Sequence, residues 1–95
     1  MRKYELVCVI QPDLDETAFN GVIEKVKGWI SESGGSVDKV DIWGRRKLAY
    51  IIKKHREGQF VLLNMTMSPA ATSDLERNLR YQEPIIRHML SVAVG

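Results

Sequence analysis

The chain has 95 residues and a mass of 10.8 kDa, which leaves room for one hydrophobic core and predicts one domain over residues 1–95. Hydrophobic residues make up 44% and charged residues 27%, a composition that excludes intrinsic disorder. The sequence has no apolar run near the ~18 residues of a membrane-spanning helix, no secretory signal pattern and a single cysteine, Cys8, so it predicts a cytoplasmic protein without disulfides.

The first third of the chain predicts a strand and a helix. Residues 4–10 (YELVCVI) are apolar and rich in β-branched side chains, as is typical of a strand. Asp15 suits the N-cap of a helix that runs to about Ser33, where the Gly34-Gly35 pair ends it. The apolar positions of this helix have the spacing of one buried face: Phe19, Val22, Ile23, Val26 and Ile30.

The middle of the chain predicts a hairpin of two strands. Residues Ser36 to Ile52 are extended and are interrupted by Gly44, where we expect a bulge or bend. The segment KKHREG then forms a turn that ends at Gly58. Residues Gln59 to Met67 form the returning strand, which pairs antiparallel with the strand before it.

The last third predicts a second helix and a final strand. Pro69 suits the first helical position, whereas Ser73 offers a capping residue one turn later, so two starting points remain open. Pro84 forbids continuation of the helix. Residues Ile85 to Val94 form the last strand.

This order, β-α-β-β-α-β, predicts an α+β ferredoxin-like fold, a four-stranded antiparallel sheet with both helices on one face. Right-handed crossovers place the first and third strands in the middle of the sheet. The other face of the sheet is then open to solvent, and we call it the open face.

Alternation along the two central strands predicts an apolar open face. If Leu6, Cys8 and Ile10 point towards the helices, Val7 and Val9 point to the open face. The same reasoning places Phe60 and Leu62 there. An apolar patch of this kind calls for a partner, unless the long hairpin partly covers it or the chain self-associates.

The net charge of +2 is unevenly distributed. Residues 1–44 carry −3, residues 45–56 carry +6 with no acidic side chain, and residues 57–95 carry −1. The central block could be a solvated hairpin whose lysines prevent edge pairing. Its three arginines favour phosphate recognition, because the guanidinium fork suits that chemistry better than solubility requires.

Other functions with this element order fit the sequence poorly. A phosphate-cradling enzyme needs donors in the loop after the first strand, but Pro12 lacks an N–H and Asp13 and Asp15 repel anions. The two histidines and Cys8 are too scattered in sequence for a metal site or a nucleophile-base pair. Stacking of RNA bases on the open face needs aromatic residues on the first strand, which has none facing outwards. The sequence therefore predicts neither an enzyme nor a cofactor site.

The whole chain resembles the bacterial small-ribosomal-subunit protein six family. The resemblance rests on the start MRKYELVCVIQPDLDE, the Gly34-Gly35 turn, the stretch VDKVDIWGRRKLAY, the strand EGQFVLL and the ending LERNLRYQEPIIRHML, in order and spacing. The GRRKLAY segment is the most specific part. The chain departs from many members at Ile51, where they have proline, and it lacks their acidic or mixed C-terminal tail.

The resemblance implies a non-catalytic component of the small ribosomal subunit that binds the central domain of small-subunit ribosomal RNA. It also implies the eighteenth small-subunit protein as a partner during assembly, with no membrane, metal or small-molecule ligand. The alternative is a stand-alone ferredoxin-like RNA-binding or regulatory domain. The expected RNA-binding residues are Arg2, Lys3, Arg45, Arg46, Lys47, Lys53, Lys54, Arg56, Arg80 and Arg87. The expected partner-protein surface consists of Val7, Val9, Tyr50, Phe60, Leu62 and Met89.

Overall fold

Alternating buried and exposed positions give the chain a four-stranded antiparallel sheet in a computed structural model that describes residues 1–93. The strand order is β2-β3-β1-β4, so the first and third strands are central, as predicted. The elements are β1 (Arg2–Ile10), α1 (Glu16–Glu32), β2 (Ser36–Ile52), β3 (His55–Met67), a 3-10 turn (Pro69–Ala71), α2 (Thr72–Tyr81) and β4 (Ile85–Val92).

The main core lies between the sheet and the two helices. Leu6, Cys8 and Ile10 of β1 are buried there beside alternate residues of β3, which confirms the predicted facing of both strands. All five predicted apolar positions of α1 are buried in the same cluster. Burial raises the pKa of Cys8 to about 12, so the thiol is protonated and acts as a small apolar side chain.

The helix ends follow the local signals of the sequence. Asp15 Oδ1 accepts a hydrogen bond of 2.8 Å from the Ala18 N–H and caps α1, and Gly34 turns the chain back with a φ of 87°. The second α-helix begins between the two predicted starting points. Pro69 opens a 3-10 turn and the α-helix begins at Thr72, so Ser73 lies inside α2 and does not cap it.

The predicted bulge at Gly44 is present. Ile42 pairs with Val61 and Gly44 pairs with Phe60, so Trp43 is the additional residue on β2. Gly44 has a φ of 88°, which a residue with a Cβ adopts only with strain.

The hairpin turn is tighter than predicted. It consists of Lys53 and Lys54 alone, and β3 begins at His55 rather than at Gln59. Both lysines have positive φ, 47° and 70°, as a two-residue type I′ turn requires. Asparagine and glycine are the usual residues at such positions, so two lysines did not indicate so short a turn.

The outer strands also differ from the predicted bounds. β1 begins at Arg2 instead of residue 4, since pairing with Met67 extends it. β4 ends at Val92. The predicted end at Val94 lies outside the described residues.

Candidate functional site

The β2–β3 hairpin is longer than the rest of the sheet and bends over the open face. β1 ends at Ile10, opposite Gln59, while the hairpin continues to its turn at residues 53 and 54. Arg87 of β4 donates a hydrogen bond from Nη1 to the Tyr50 hydroxyl, and its guanidinium lies 6.0 Å from the centre of the Tyr50 ring. Because β1 lies between this hairpin and β4 in the sheet, the contact means that the end of the hairpin crosses over β1.

Val9 is covered as a result. It faces the open side, since it pairs with Phe60 and Arg87, but it is only 1% exposed. A Cβ at Gly58 would overlap Val9 Cγ1 and would lie 3.7 Å from Ile86 Cδ1. Val9 and Ile86 therefore pack tightly against the hairpin at Gly58. The prediction that Val9 offers surface to a partner is therefore wrong, and the predicted alternative of partial cover by the hairpin is correct at this position.

The rest of the open face keeps an apolar strip. Val7 pairs with Leu62 on one side and with Met89 on the other. Phe60 lies two residues before Leu62 on β3, nearer the hairpin turn. Val7, Leu62 and Phe60 are half-buried, and Met89 is 44% exposed. We call these residues, together with Trp43, the apolar strip.

Trp43 belongs to this surface, although it was not among the predicted interface residues. Its ring stacks on Phe60, with centroids 6.4 Å apart and an interplanar angle of 11°. The available signal was the alternation of β2, in which Val40 and Ile42 share the side of the helices and the next residue, Trp43, takes the open face.

The two adjacent arginines of the hairpin have different surroundings. The Arg46 guanidinium lies 5.2 Å from the centre of the Trp43 ring, which places a cation beside the apolar strip. Arg45 instead donates from Nη2 to the Pro12 carbonyl at 2.6 Å and lies 3.7 Å from a Glu57 carboxylate oxygen. Arg45 therefore contacts the loop before α1, whereas Arg46 contacts the ring of Trp43.

The other eight predicted cations lie in three places, two at the hairpin end of the sheet and one at its opposite end. Lys47, Lys54 and Arg56 line an open concavity of about 800 Å³ on the hairpin. Lys53, Arg80 and Arg87 line a smaller pocket of about 220 Å³ beside β4. The structure brings these two groups to the hairpin end of the sheet.

Arg2 and Lys3 lie apart from those groups. They begin β1 and pair with Met67 and Thr66, at the end of the sheet opposite the hairpin. Lys3 and Ile10 are seven positions apart along β1, a distance of about 23 Å. The predicted RNA-binding residues thus form two separate regions rather than one patch.

Residues 1–93 contain no cluster of His, Cys, Asp or Glu side chains placed to hold a metal ion. In the same part of the chain, neither helix has both the length and the apolar character needed to cross a membrane.

Residues 3–91 match the family described as "Ribosomal protein S6". The "Small ribosomal subunit protein bS6" of Clostridium botulinum is 48% identical over 90 residues, which cover 95% of this chain and 96% of that relative. The protein of the same description from Clostridium perfringens is also 48% identical and covers 95% of both chains. The crystal structure of 30S ribosomal protein S6 from Thermotoga maritima has a TM-score of 0.90 and 33% identity, over 97% of this chain and 87% of that one.

Proposed function

Since the chain belongs to the ribosomal protein S6 family, and is thus a non-enzymatic small-subunit protein, we propose that it binds the central domain of small-subunit ribosomal RNA in the cytoplasm. We further propose that it does so together with the eighteenth small-subunit protein during assembly. The observation that carries the proposal is the position of Arg46 over Trp43, next to Phe60. A cationic surface and an apolar surface meet at this point.

The hairpin supplies the charge for RNA. Residues 45–56 contain six basic and no acidic side chains, and the cations that line the two concavities are exposed. Neutralising RNA phosphates releases counterions, so the affinity from these residues should fall steeply with salt. The long hairpin projects the cations beyond the packed core, where a large RNA can reach them.

The apolar strip supplies the surface for the partner protein. Its centre at Val7 and Leu62 is aliphatic, and its margin carries the charged side chains of Arg46 and Arg87. An apolar centre with a charged rim is typical of protein interfaces. Aliphatic side chains suit such a contact better than the stacking of bases.

Binding by both surfaces would make assembly cooperative. A heterodimer presents more cations than either protein alone, and the partner adds its own RNA contacts at high effective concentration. Each protein alone should then bind the RNA weakly and the pair strongly, which is a coupling of binding free energies.

The experiment is a titration of the central-domain RNA with this chain, with and without the partner, at two salt concentrations. We expect tight, salt-sensitive binding only when both proteins are present. Equally tight binding by this chain alone would contradict the composite surface. Absence of binding in both cases would contradict the proposed function.

A further inference from the structure

The hairpin turn places two lysines in a backbone conformation that lysine rarely adopts. Lys53 and Lys54 both have positive φ, whereas the usual residues of such a turn are asparagine and glycine. Such a conformation is unfavourable for a residue with a Cβ and persists where the surrounding structure or a function requires it. Compared with asparagine and glycine, the two lysines make the turn less stable but add two positive charges at the hairpin tip.

Lys53 lies beside basic residues of two other elements. It lines the pocket of about 220 Å³ together with Arg80, Arg87 and His88, from the C-terminal end of α2 and from β4. The apolar floor of the pocket includes Ile85 and Ile86, both of which are buried. Basic residues of the hairpin turn, α2 and β4 thus line one small space.

We propose that this pocket binds a single phosphate group of the RNA backbone, a proposal that rests on the RNA-binding function above. Lys53 provides a mobile point charge, and Arg80 provides a planar fork of N–H donors. Arg87 also lines the pocket, at the edge of β4, and its guanidinium donates a hydrogen bond to Tyr50. The apolar floor excludes water beneath the anion and strengthens its attraction to the cations.

His88 reports on occupancy of the pocket. Burial lowers its pKa, Glu76 opposes this shift and Arg80 adds to it. The other charged side chains around the pocket are Lys53 and Arg87. A phosphate bound there would stabilise the protonated imidazole and raise the pKa of His88.

The first test is an NMR titration of the His88 ring with inorganic phosphate, against sodium chloride at equal ionic strength. We expect a saturable shift and a raised His88 pKa with phosphate alone. Lys53→Asn should weaken this response, and Lys54→Asn should leave it unchanged. Both variants remove one charge and suit a positive φ, but only Lys53 lines the pocket. An identical response in the two variants, or none in the unaltered protein, would overturn the proposal.

The second test uses the RNA and the partner protein. Arg80→Gln should lower the slope of log affinity against log salt by about one. Arg77→Gln is the matched control, because it removes the same charge one turn earlier on α2, from a side chain that pairs with Asp74. If the unaltered pair binds RNA and Arg80→Gln behaves as Arg77→Gln does, the pocket assignment is wrong while the proposed function stands. If the unaltered pair does not bind RNA, the proposed function itself fails.

Discussion

Tyr50 of β2 and Arg87 of β4 join the two opposite edges of the sheet through a hydrogen bond and a contact between guanidinium and ring. The contact holds the hairpin across the open face and covers Val9. The contact leaves the apolar strip uncovered, because the strip lies farther from the hairpin turn. The hairpin therefore limits how much of the open face a partner can reach.

Removing the Tyr50 side chain should loosen the hairpin. In Tyr50→Ala, we expect amide hydrogen exchange within residues 46–58 to accelerate by roughly tenfold, since local opening no longer breaks the contact with Arg87. Tyr50→Phe should give a smaller change, because the ring remains while the acceptor oxygen is lost. Tyr81→Ala is the control, since this side chain is 78% exposed. Equal exchange rates in Tyr50→Ala and the unaltered protein would show that other contacts hold the hairpin.

Gly58 should not tolerate a Cβ. In Gly58→Ala the new methyl group would overlap Val9 Cγ1, in a stiff side chain that is itself buried. We expect the free energy of unfolding to fall by about 1–3 kcal/mol, as overpacking does in a core. Urea denaturation measures this change.

Gly21→Ala provides the opposite result in the same assay. Gly21 lies within α1, and a Cβ there would meet no atom within 4 Å. Alanine is the better helix former, so stability should rise by up to about 1 kcal/mol. A loss of stability in both variants would show that the tight packing at Gly58 is not the cause.

Local patterns predicted the sheet and helices well because their spacing reports burial directly. The alternation of Leu6, Cys8 and Ile10 and the Asp15 cap are properties of short segments, and the structure confirms them. Burial of Val9 depends on a segment some forty residues away, which periodicity along β1 does not reveal. The turn was predicted over KKHREG, but its restriction to Lys53 and Lys54 was not, since long-range contacts of the hairpin override the local preference of lysine.

The candidate site was predicted in composition more accurately than in arrangement. The charge of residues 45–56 was visible in the sequence, but the different surroundings of Arg45 and Arg46 follow from alternation around the Gly44 bulge and from the position of Pro12. Trp43 follows from alternation with Val40 and Ile42 on β2, but the prediction of open-face residues used the alternation of β1 and β3 alone. Arg46 lies beyond the bulge, so the inserted residue brings it to the same face as Trp43, which sequence spacing alone does not show.

A charge at the centre of the apolar strip should abolish partner binding. Leu62→Asp places a carboxylate at a half-buried position between Val7 and Asp41, where complex formation would remove it from water. We expect the variant to fold and to lose copurification with the partner. Copurification at the ratio of the unaltered protein would contradict the assignment of this face.

Ile42→Asp is the matched control for that experiment. Ile42 is 58% exposed and pairs with Val61, so it lies on β2 but on the side of the helices. The Ile42→Asp variant should copurify with the partner at the ratio of the unaltered protein. Val9→Asp is unsuitable as a test of binding, because a charge at that buried position should unfold the protein.

Arg46 should contribute more to RNA affinity than Arg45. Arg46→Ala removes an exposed cation beside Trp43, and we expect the salt slope of RNA binding to fall by about one. Arg45→Ala should lower affinity less, because its guanidinium already contacts the Pro12 carbonyl and Glu57. Titrations at matched salt measure both, with Lys25→Ala on α1 as the control for loss of one charge. A larger effect of Arg45→Ala would show that the loop before α1 takes part in RNA binding.

His88 should make stability depend on pH. Burial lowers its pKa in the folded protein, and nearby Arg80 adds to this shift while Glu76 opposes it. The unfolded chain takes up a proton near the ordinary value of 6.5, so below that pH the unfolded state binds more protons than the folded state. The contribution to stability is present above about 6.5 and is lost as the pH falls through the folded pKa. Urea denaturation across this range should show a slope that His88→Gln removes and that His55→Gln retains, and the same slope in both variants would assign the pH dependence to other groups.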